Sequence, residues 1–459
     1  MPAVACTPAN LPAKAARYQS LDMWRGIACL LMVVFHTTMQ VTLPTEQAAP
    51  ASDWLGRLGQ TLILATARMW VGVPVFFVIS GYCIMATLDS RRRGKGGLGD
   101  YILRRVRRIY PPYWIALAVA VIGIWAVEAA GWHGLFSEGR FTIPLPWEMT
   151  AAQWIGNLTL TETWRPLITT DPMSHLLPNT WTLCYEEQFY LVAGVLLWMA
   201  PRKIFTAAAI FTALSFVVKV VAHKLNVPLF GTFLDGRWLL IAAGIMVYYR
   251  INYATLWQGR AIEALLLIGV LTSDLGPASL FDVEPTNDLE RLAGFGFALL
   301  ISLLYKFDAR IMGTAVAQTF ARVGTMSYSV YLIHPLVAKG ISYGLYRNGF
   351  TAPWFTLLVV IPACLAASLM CGWVFYQLVE RWFLNQPLAA RQSNVAEKMT
   401  AEASGNIVQP VELSTALTAS VTGPAFQTTL GPIWPDIDQR LAASTTVTGT
   451  SSTTTTSIT

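Results

Sequence analysis

Between residues 21 and 385 the chain alternates apolar runs, on the order of 20 residues each, with short polar connections, and a run of that length is what a helix needs to cross a bilayer. The pattern predicts ten spans, at 26–43, 69–88, 109–130, 180–199, 204–222, 233–250, 261–275, 292–306, 325–346 and 355–378, of which 261–275 is the weakest. Inside lipid each backbone N–H and C=O must find a partner within its own segment, so the spans are expected to be helical. The prediction is an all-α polytopic transmembrane bundle: 1–20 is a short N-terminal cytoplasmic segment and 21–385 the transmembrane domain. Residues 386–459 form a Ser/Thr-rich cytoplasmic tail, and its polar, aromatic-poor composition reads as disordered.

Basic residues set the expected orientation. Arg91, Arg92, Arg93 and Lys95, then Arg104, Arg105, Arg107 and Arg108, fall between the second and third spans and assign that connection to the cytoplasm. Arg202, Lys203, Arg250, Arg260, Lys306, Arg310 and Arg322 then lie on the same side, with Asp274, Asp282, Glu284, Asp288 and Glu290 opposite. Both termini are expected in the cytoplasm of a cell whose inner (plasma) membrane holds the protein. The longest outer connection, 131–179, is long enough to pack as a lid over the outer mouth.

Composition agrees: 54% of the 459 residues are hydrophobic and only 13% charged, outside the balance of soluble domains. The net charge of +6 does not argue for nucleic acid, because the basic residues cluster beside apolar runs, where headgroups and anionic ligands are their neighbours. Residues 1–20 lack an apolar signal core, so the first run is expected to stay as an uncleaved span. Six scattered cysteines show neither disulfide-framework nor metal spacing and read as small buried hydrophobes. The sequon at Asn157 is too short a match to carry weight.

Candidate chemistry begins with Arg25 and His36 in the first span. Eleven helical residues turn through about 1100°, within about 20° of three turns, so both side chains share one face about 16 Å apart. One reading is snorkelling for Arg25 and an interhelical bond for His36; the other is function, the default hypothesis for an intramembrane ionisable group. A buried imidazole favours its neutral, proton-accepting form. Glu186 and Glu187, in WTLCYEEQFY (181–190), point about 100° apart, so only one faces a given cavity. In RRVRRIYPPYW (104–114), Arg104 and Arg108, or Arg105 and Arg108, share a helical face able to hold phosphate oxygens, though such a cluster also serves topology and anionic lipid. FFVISGY (76–82) sets Ser80 and Gly81 within the second span. In SYSVYLIHP (327–335), Tyr331 and His334 share a face just before Pro335, which kinks the helix and frees a carbonyl. His133, His175 and His223 match no motif and read as solvated, although His175 is placed to meet an acceptor in the outer loop.

These stretches, in this order and at these intervals, resemble the acyltransferase 3 family, multi-span membrane O-acyltransferases that decorate cell-surface sugars, lipid-linked glycans or secreted glycosides with acetyl or other short acyl groups. The resemblance covers about residues 18–385. It implies His36 as the catalytic residue, acting as general base or as transient acyl carrier, and Glu186 as the functional glutamate that orients it. It also implies a binding set for acyl-CoA and acceptor made of Arg25, Ser80, Gly81, Arg104, Arg108, Tyr110, Tyr113, Trp181, Glu187, Gln188, Tyr331 and His334. The donor substrate would be acyl-CoA, acetyl-CoA foremost, with no bound cofactor or metal, and the acceptor a hydroxyl of a carbohydrate or glycolipid. The rival class is a polytopic transporter or flippase for a glycolipid or small solute. It shares the polar-cored architecture but needs no acyl-CoA, and the repeated halves common in such proteins are not seen here.

Overall fold

Helix is the only regular structure among the described residues, as the all-α expectation requires. The computed structural model describes residues 18–39, 53–93, 98–275 and 288–384, all within one contact-defined unit, Met1–Val408. The N-terminal segment up to residue 17, residues 40–43 of the first predicted span, Lys95, Asp282 and Glu284, and the Ser/Thr-rich tail lie outside the described residues.

The main helices are α1 (Leu21–Thr38), α2 (Trp54–Thr66), α3 (Gly72–Arg93), α4 (Leu98–Ala129), α5 (Ala151–Thr159), α6 (Trp181–Met199), α7 (Ile204–Lys224), α8 (Trp238–Asn252), α9 (Leu256–Leu275), α10 (Asp288–Leu304), α11 (Ala315–Thr325), α12 (Ser327–Arg347) and α13 (Pro353–Leu384). Five stretches, Trp54–Arg93, Leu98–Ala129, Pro201–Lys224, Leu289–Met312 and Pro353–Leu384, are long and apolar enough to cross a membrane. Each of the ten predicted spans has a helical counterpart, but α1, α6, α8, α9 and α12 do not meet that measure of length and apolarity.

Three of these helices, α2, α5 and α11, were not expected as elements. The thirteen residues of α2 are too few for a span; Asp53 caps its start, accepting from Gly56 N at 3.0 Å. The nine residues of α5, inside the 131–179 connection, begin with a reciprocal capping box between Thr150 and Gln153.

Helix crossings are set by glycines. Gly81 on α3 faces the Ile241 carbonyl of α8, and Gly244 on α8 faces the Val78 carbonyl of α3, so a Cβ at either position would collide with backbone. Gly26 on α1 and Gly324 on α11 meet in the same reciprocal way. With no hydrophobic drive between helices in lipid, such close packing is a main source of association. At the end of α3 a fully buried carboxylate adds a polar lock. Asp89 accepts from Arg92 Nε (2.6 Å), Arg93 (2.6 Å), Tyr248 (2.7 Å) and Tyr253 (2.7 Å). Asp89, through Tyr248 and Tyr253, and Arg92, which donates to the Tyr253 hydroxyl at 3.0 Å, therefore tie α3 to the end of α8.

Candidate functional site

His36 lies in the last two turns of α1, buried but not sealed at 6% exposure. Its Nδ1 is 2.9 Å from the Met32 carbonyl and 3.2 Å from Nε2 of His334 on α12. The two imidazoles meet edge to face, 4.9 Å between centroids, and Phe141 from the 131–179 connection packs on the His36 ring at 5.3 Å. That connection thus contributes a ring to the surroundings of the histidine.

The sequence around His334 explains its orientation. Pro335 has no N–H, so the carbonyl four residues back, Tyr331 O, has no helical donor. His334 Nδ1 approaches it at 2.9 Å, with Val330 O at 3.0 Å, and the Asn179 amide also donates to it. The Tyr331 hydroxyl donates to Asn179 O and shares a 2.7 Å hydrogen bond with Thr182. Tyr331 thus joins α12 to the start of α6, while His334, predicted on the same face, joins α12 to α1 through His36.

One turn further along α6, Glu186 accepts from the Tyr190 hydroxyl and, at 3.4 Å, from Ser80. Its hydrogen-bond partners are these two, and the group beside His36 is His334. The expected carboxylate–imidazole pair is replaced by a pair of imidazoles, because Glu186 sits level with the Arg25 end of α1, which it meets electrostatically. Arg105 donates to the Tyr190 hydroxyl at 3.2 Å and to Thr87 at 3.3 Å, with its guanidinium 4.3 Å from the centre of the Tyr190 ring. Glu187 turns aside, and its Oε1 is buried without a hydrogen-bond partner.

Arg25, Arg105 and Arg108 form the basic end of the site. Arg25 pairs with Asp22 at 3.7 Å; Arg108 is half-buried, within electrostatic reach of Arg25, Arg105, Tyr190 and Glu380, and makes no hydrogen bond or ion pair among the described residues. Arg104, expected as a partner of Arg108, is exposed on another face of α4, and Arg105, three residues from Arg108, takes the inward position. Glu380 lies just beyond the last predicted span, which ends at 378, and no motif marks it in the sequence. This buried carboxylate ends a π-turn at Tyr376–Glu380 and accepts from the Ser329 amide (3.1 Å) and hydroxyl, satisfying one of the free N–H groups in the first turn of α12.

The aromatic residues of YPPYW hold the end of α5. Helix α5 carries exposed Ile155 and Leu158, and its last carbonyls lie against α4 one to two turns from the arginines. Tyr113, with no exposed surface, donates to Asn157 O at 2.6 Å; Trp114 donates to Leu158 O at 3.0 Å and Tyr110 to Thr159 O at 3.3 Å. Thr161 N takes Gly156 O at 2.8 Å past Leu160, whose φ of 56° is left-handed. All four terminal carbonyls are therefore satisfied, the condition for ending a helix away from water. The Asn157 side chain is buried and bonded to Gln153 O, Ser174 O and Leu176 N, which closes it to glycosylation.

Four further residues singled out in the sequence have these neighbours. Gly81 serves the crossing with α8, where it faces the Ile241 backbone. Gln188 holds the loop before α8, donating to Gly231 O (2.9 Å) and accepting from Phe233 N (2.8 Å). Trp181 lies against the Arg237 guanidinium at 5.0 Å, in a buried network where Arg237 bonds Tyr185 and Asp235 at 2.8 Å each. His175 is half-buried: Nδ1 is 3.5 Å from the Thr180 hydroxyl, and Nε2 is buried without a hydrogen-bond partner among the described residues. Burial first, and the Arg165 guanidinium second, push its imidazole down to about 4. Arg165 is itself held by a fork of two 2.8 Å bonds to fully buried Glu162.

Comparison with known proteins gives this arrangement its class. A family model described as "Acyltransferase domain" matches residues 18–376, which include every residue of the site described above except Glu380. The chain is 27% identical over 322 residues to the exopolysaccharide production protein ExoZ of Rhizobium meliloti, covering 70% of this chain and 91% of that one. It is 25% identical over 333 residues to the O-acetyltransferase OatA of Staphylococcus aureus, covering 65% of this chain and 51% of that one, so it spans about half the length of OatA. No solved structure matches. From the match over most of its length, the chain belongs to the acyltransferase 3 family of membrane O-acyltransferases.

Proposed function

We propose that the protein transfers an acyl group, acetyl foremost, from acyl-CoA to a hydroxyl of a carbohydrate or glycolipid, with His36 as general base. The observation that carries this reading is the layout of α1. Arg25 joins the Arg105–Arg108 cluster at one end, and about 16 Å along the same face His36 lies under Phe141 at the other. The phosphates of CoA suit the three guanidinium groups, of which Arg108 makes no bond among the described residues. The pantetheine arm would then extend along Ser80 and Glu186 toward the imidazole pair, and the hydroxyl acceptor would enter beneath the 131–179 connection. His36 takes the hydroxyl proton as the oxygen attacks the thioester carbonyl; the C–S bond breaks, and the CoA thiolate leaves to take up a proton.

This reading rests on ten spans with both termini cytoplasmic in the cell's inner membrane, so that donor and acceptor meet from opposite sides. The carbohydrate acceptor is supported by relatives named for exopolysaccharide production and O-acetyl transfer. The test is incubation of membranes containing the protein with radiolabelled acetyl-CoA. Label is expected in an alkali-labile glycan or glycolipid fraction and absent for His36→Ala at equal membrane abundance. Label transfer by His36→Ala at the native rate refutes the base; no transfer from acetyl-CoA by the native protein refutes the donor.

A further inference from the structure

From the hydrogen-bond geometry we infer that His334 is a positioning residue that fixes the tautomer of His36 and receives a hydrogen bond from the imidazolium formed during transfer. The inference rests on His36 being the base. The argument is one of donors and acceptors. A carbonyl oxygen only accepts, so the nitrogen of His334 that faces both Val330 O (3.0 Å) and Tyr331 O (2.9 Å) carries the proton. His334 Nδ1 is thus N–H, and in the neutral ring Nε2 is a lone pair. That lone pair faces His36 Nδ1 at 3.2 Å, while the Met32 carbonyl, also only an acceptor, faces the same Nδ1 at 2.9 Å. With acceptors on both sides, His36 Nδ1 carries its proton and shares it between them. The remaining nitrogen, His36 Nε2, is left unprotonated and without a hydrogen-bond partner among the described residues.

Two consequences follow from this proton count. His36 presents its basic nitrogen in one defined orientation, with no energy spent on tautomer exchange before it takes the hydroxyl proton. When Nε2 becomes N–H, the new positive charge is met at Nδ1 by a lone pair already aimed at it, the part a buried carboxylate plays in a Ser-His-Asp triad. A neutral ring performs this task without bringing a second charge into an apolar site. The device depends on Pro335, since the carbonyl that pins His334 is the one its missing N–H leaves open.

Gln and Asn at position 334 separate positioning from packing. The Gln side-chain amide reaches where Nε2 lies and offers a carbonyl acceptor there; the Asn amide reaches only the Nδ1 position. With labelled acetyl-CoA as donor, His334→Leu is expected to lose about 100-fold in kcat with KM for acetyl-CoA within about twofold. His334→Gln should recover to within about tenfold of native, and His334→Asn should remain as low as Leu. Native kcat in His334→Leu, or equal kcat in Gln and Asn, overturns the inference. Should the variants fail to accumulate, nitrogen-15 NMR of histidine-labelled native protein in lipid nanodiscs decides. Both rings are expected as Nδ1–H tautomers at neutral pH, and an Nε2–H tautomer for His36 overturns the assignment. An active His36→Ala refutes the base itself, whereas an inactive His36→Ala beside a fully active His334→Leu refutes this inference alone.

Discussion

Arg105 and Glu186 are joined through one phenol: the guanidinium donates to the Tyr190 hydroxyl at 3.2 Å, and that hydroxyl donates to the carboxylate. Three helix faces, from α4, α6 and, through Ser80, α3, are thereby fixed around a charged centre. Replacing either ion leaves the other with less compensation in a low-dielectric setting, the costly outcome for a buried pair.

The donor end can be tested arginine by arginine. Arg108→Ala is expected to raise KM for acetyl-CoA by about 10- to 100-fold, the loss of one or two charge-assisted hydrogen bonds. Arg104→Ala, on the exposed face, should change it by less than about twofold. Steady-state kinetics on native membranes checks both, and an equal effect of the two variants would contradict the inward orientation of Arg108.

Tyr113→Phe removes one donor from the end of α5 and leaves Asn157 O with only the long 3.4 Å bond from Leu160 N. The expected cost is about 1 kcal/mol, the net worth of one hydrogen bond. Thermal unfolding of the detergent-solubilised protein should show a lowered transition, with KM for acetyl-CoA unchanged in the variant that remains folded. A selective rise in KM would restore a donor-binding role to this tyrosine.

Gly81→Ala sets a methyl group against the Ile241 carbonyl at the α3–α8 crossing. Overpacking of this kind typically costs about 1–3 kcal/mol, and here the obstacle is backbone, which yields less than a side chain. Reduced abundance in membranes is expected, measured by quantitative immunoblot against Gly123→Ala, where a Cβ meets open space.

The connection carrying His175 should loosen in acid. Its imidazole is held down to about 4 in the folded chain, against an ordinary value near 6.5, by burial and by Arg165. The unfolded connection binds a proton between those values and the folded one does not, so stability falls as pH drops from about 6.5 toward 4 and levels off below. Limited proteolysis across that range should show increasing cleavage within 160–180 in the native protein. His175→Gln, which cannot titrate, should show a flatter dependence; identical profiles would exclude His175 as the origin.

The helical class and the segments that supply chemistry were readable because hydrophobic period and span length act locally. Partnership was less so. His36 and His334 are 298 residues apart, and no periodicity reports that their rings meet. The choice between Arg104 and Arg105 as the inward residue depends on how α4 is rotated against α6, which neighbouring helices set and α4 alone does not. Tyr110, Tyr113 and Trp114 look like ligand-binding aromatics in a linear reading; their real partners belong to α5, a nine-residue helix too short to register as an apolar run. Glu380 was hidden by the convention of ending a span where polar residues begin, although a carboxylate just past that boundary is well placed to cap a neighbouring helix.

Proline at position 335 makes its residue irreplaceable by ordinary means. Any of the other nineteen side chains would bring an amide hydrogen into the turn, and that hydrogen would compete with Asn179 and His334 for the oxygen of Tyr331. A mutation there would leave both rings in the chain while loosening the anchor of the second, so the chemistry would be detuned from the main chain by a change that touches neither imidazole.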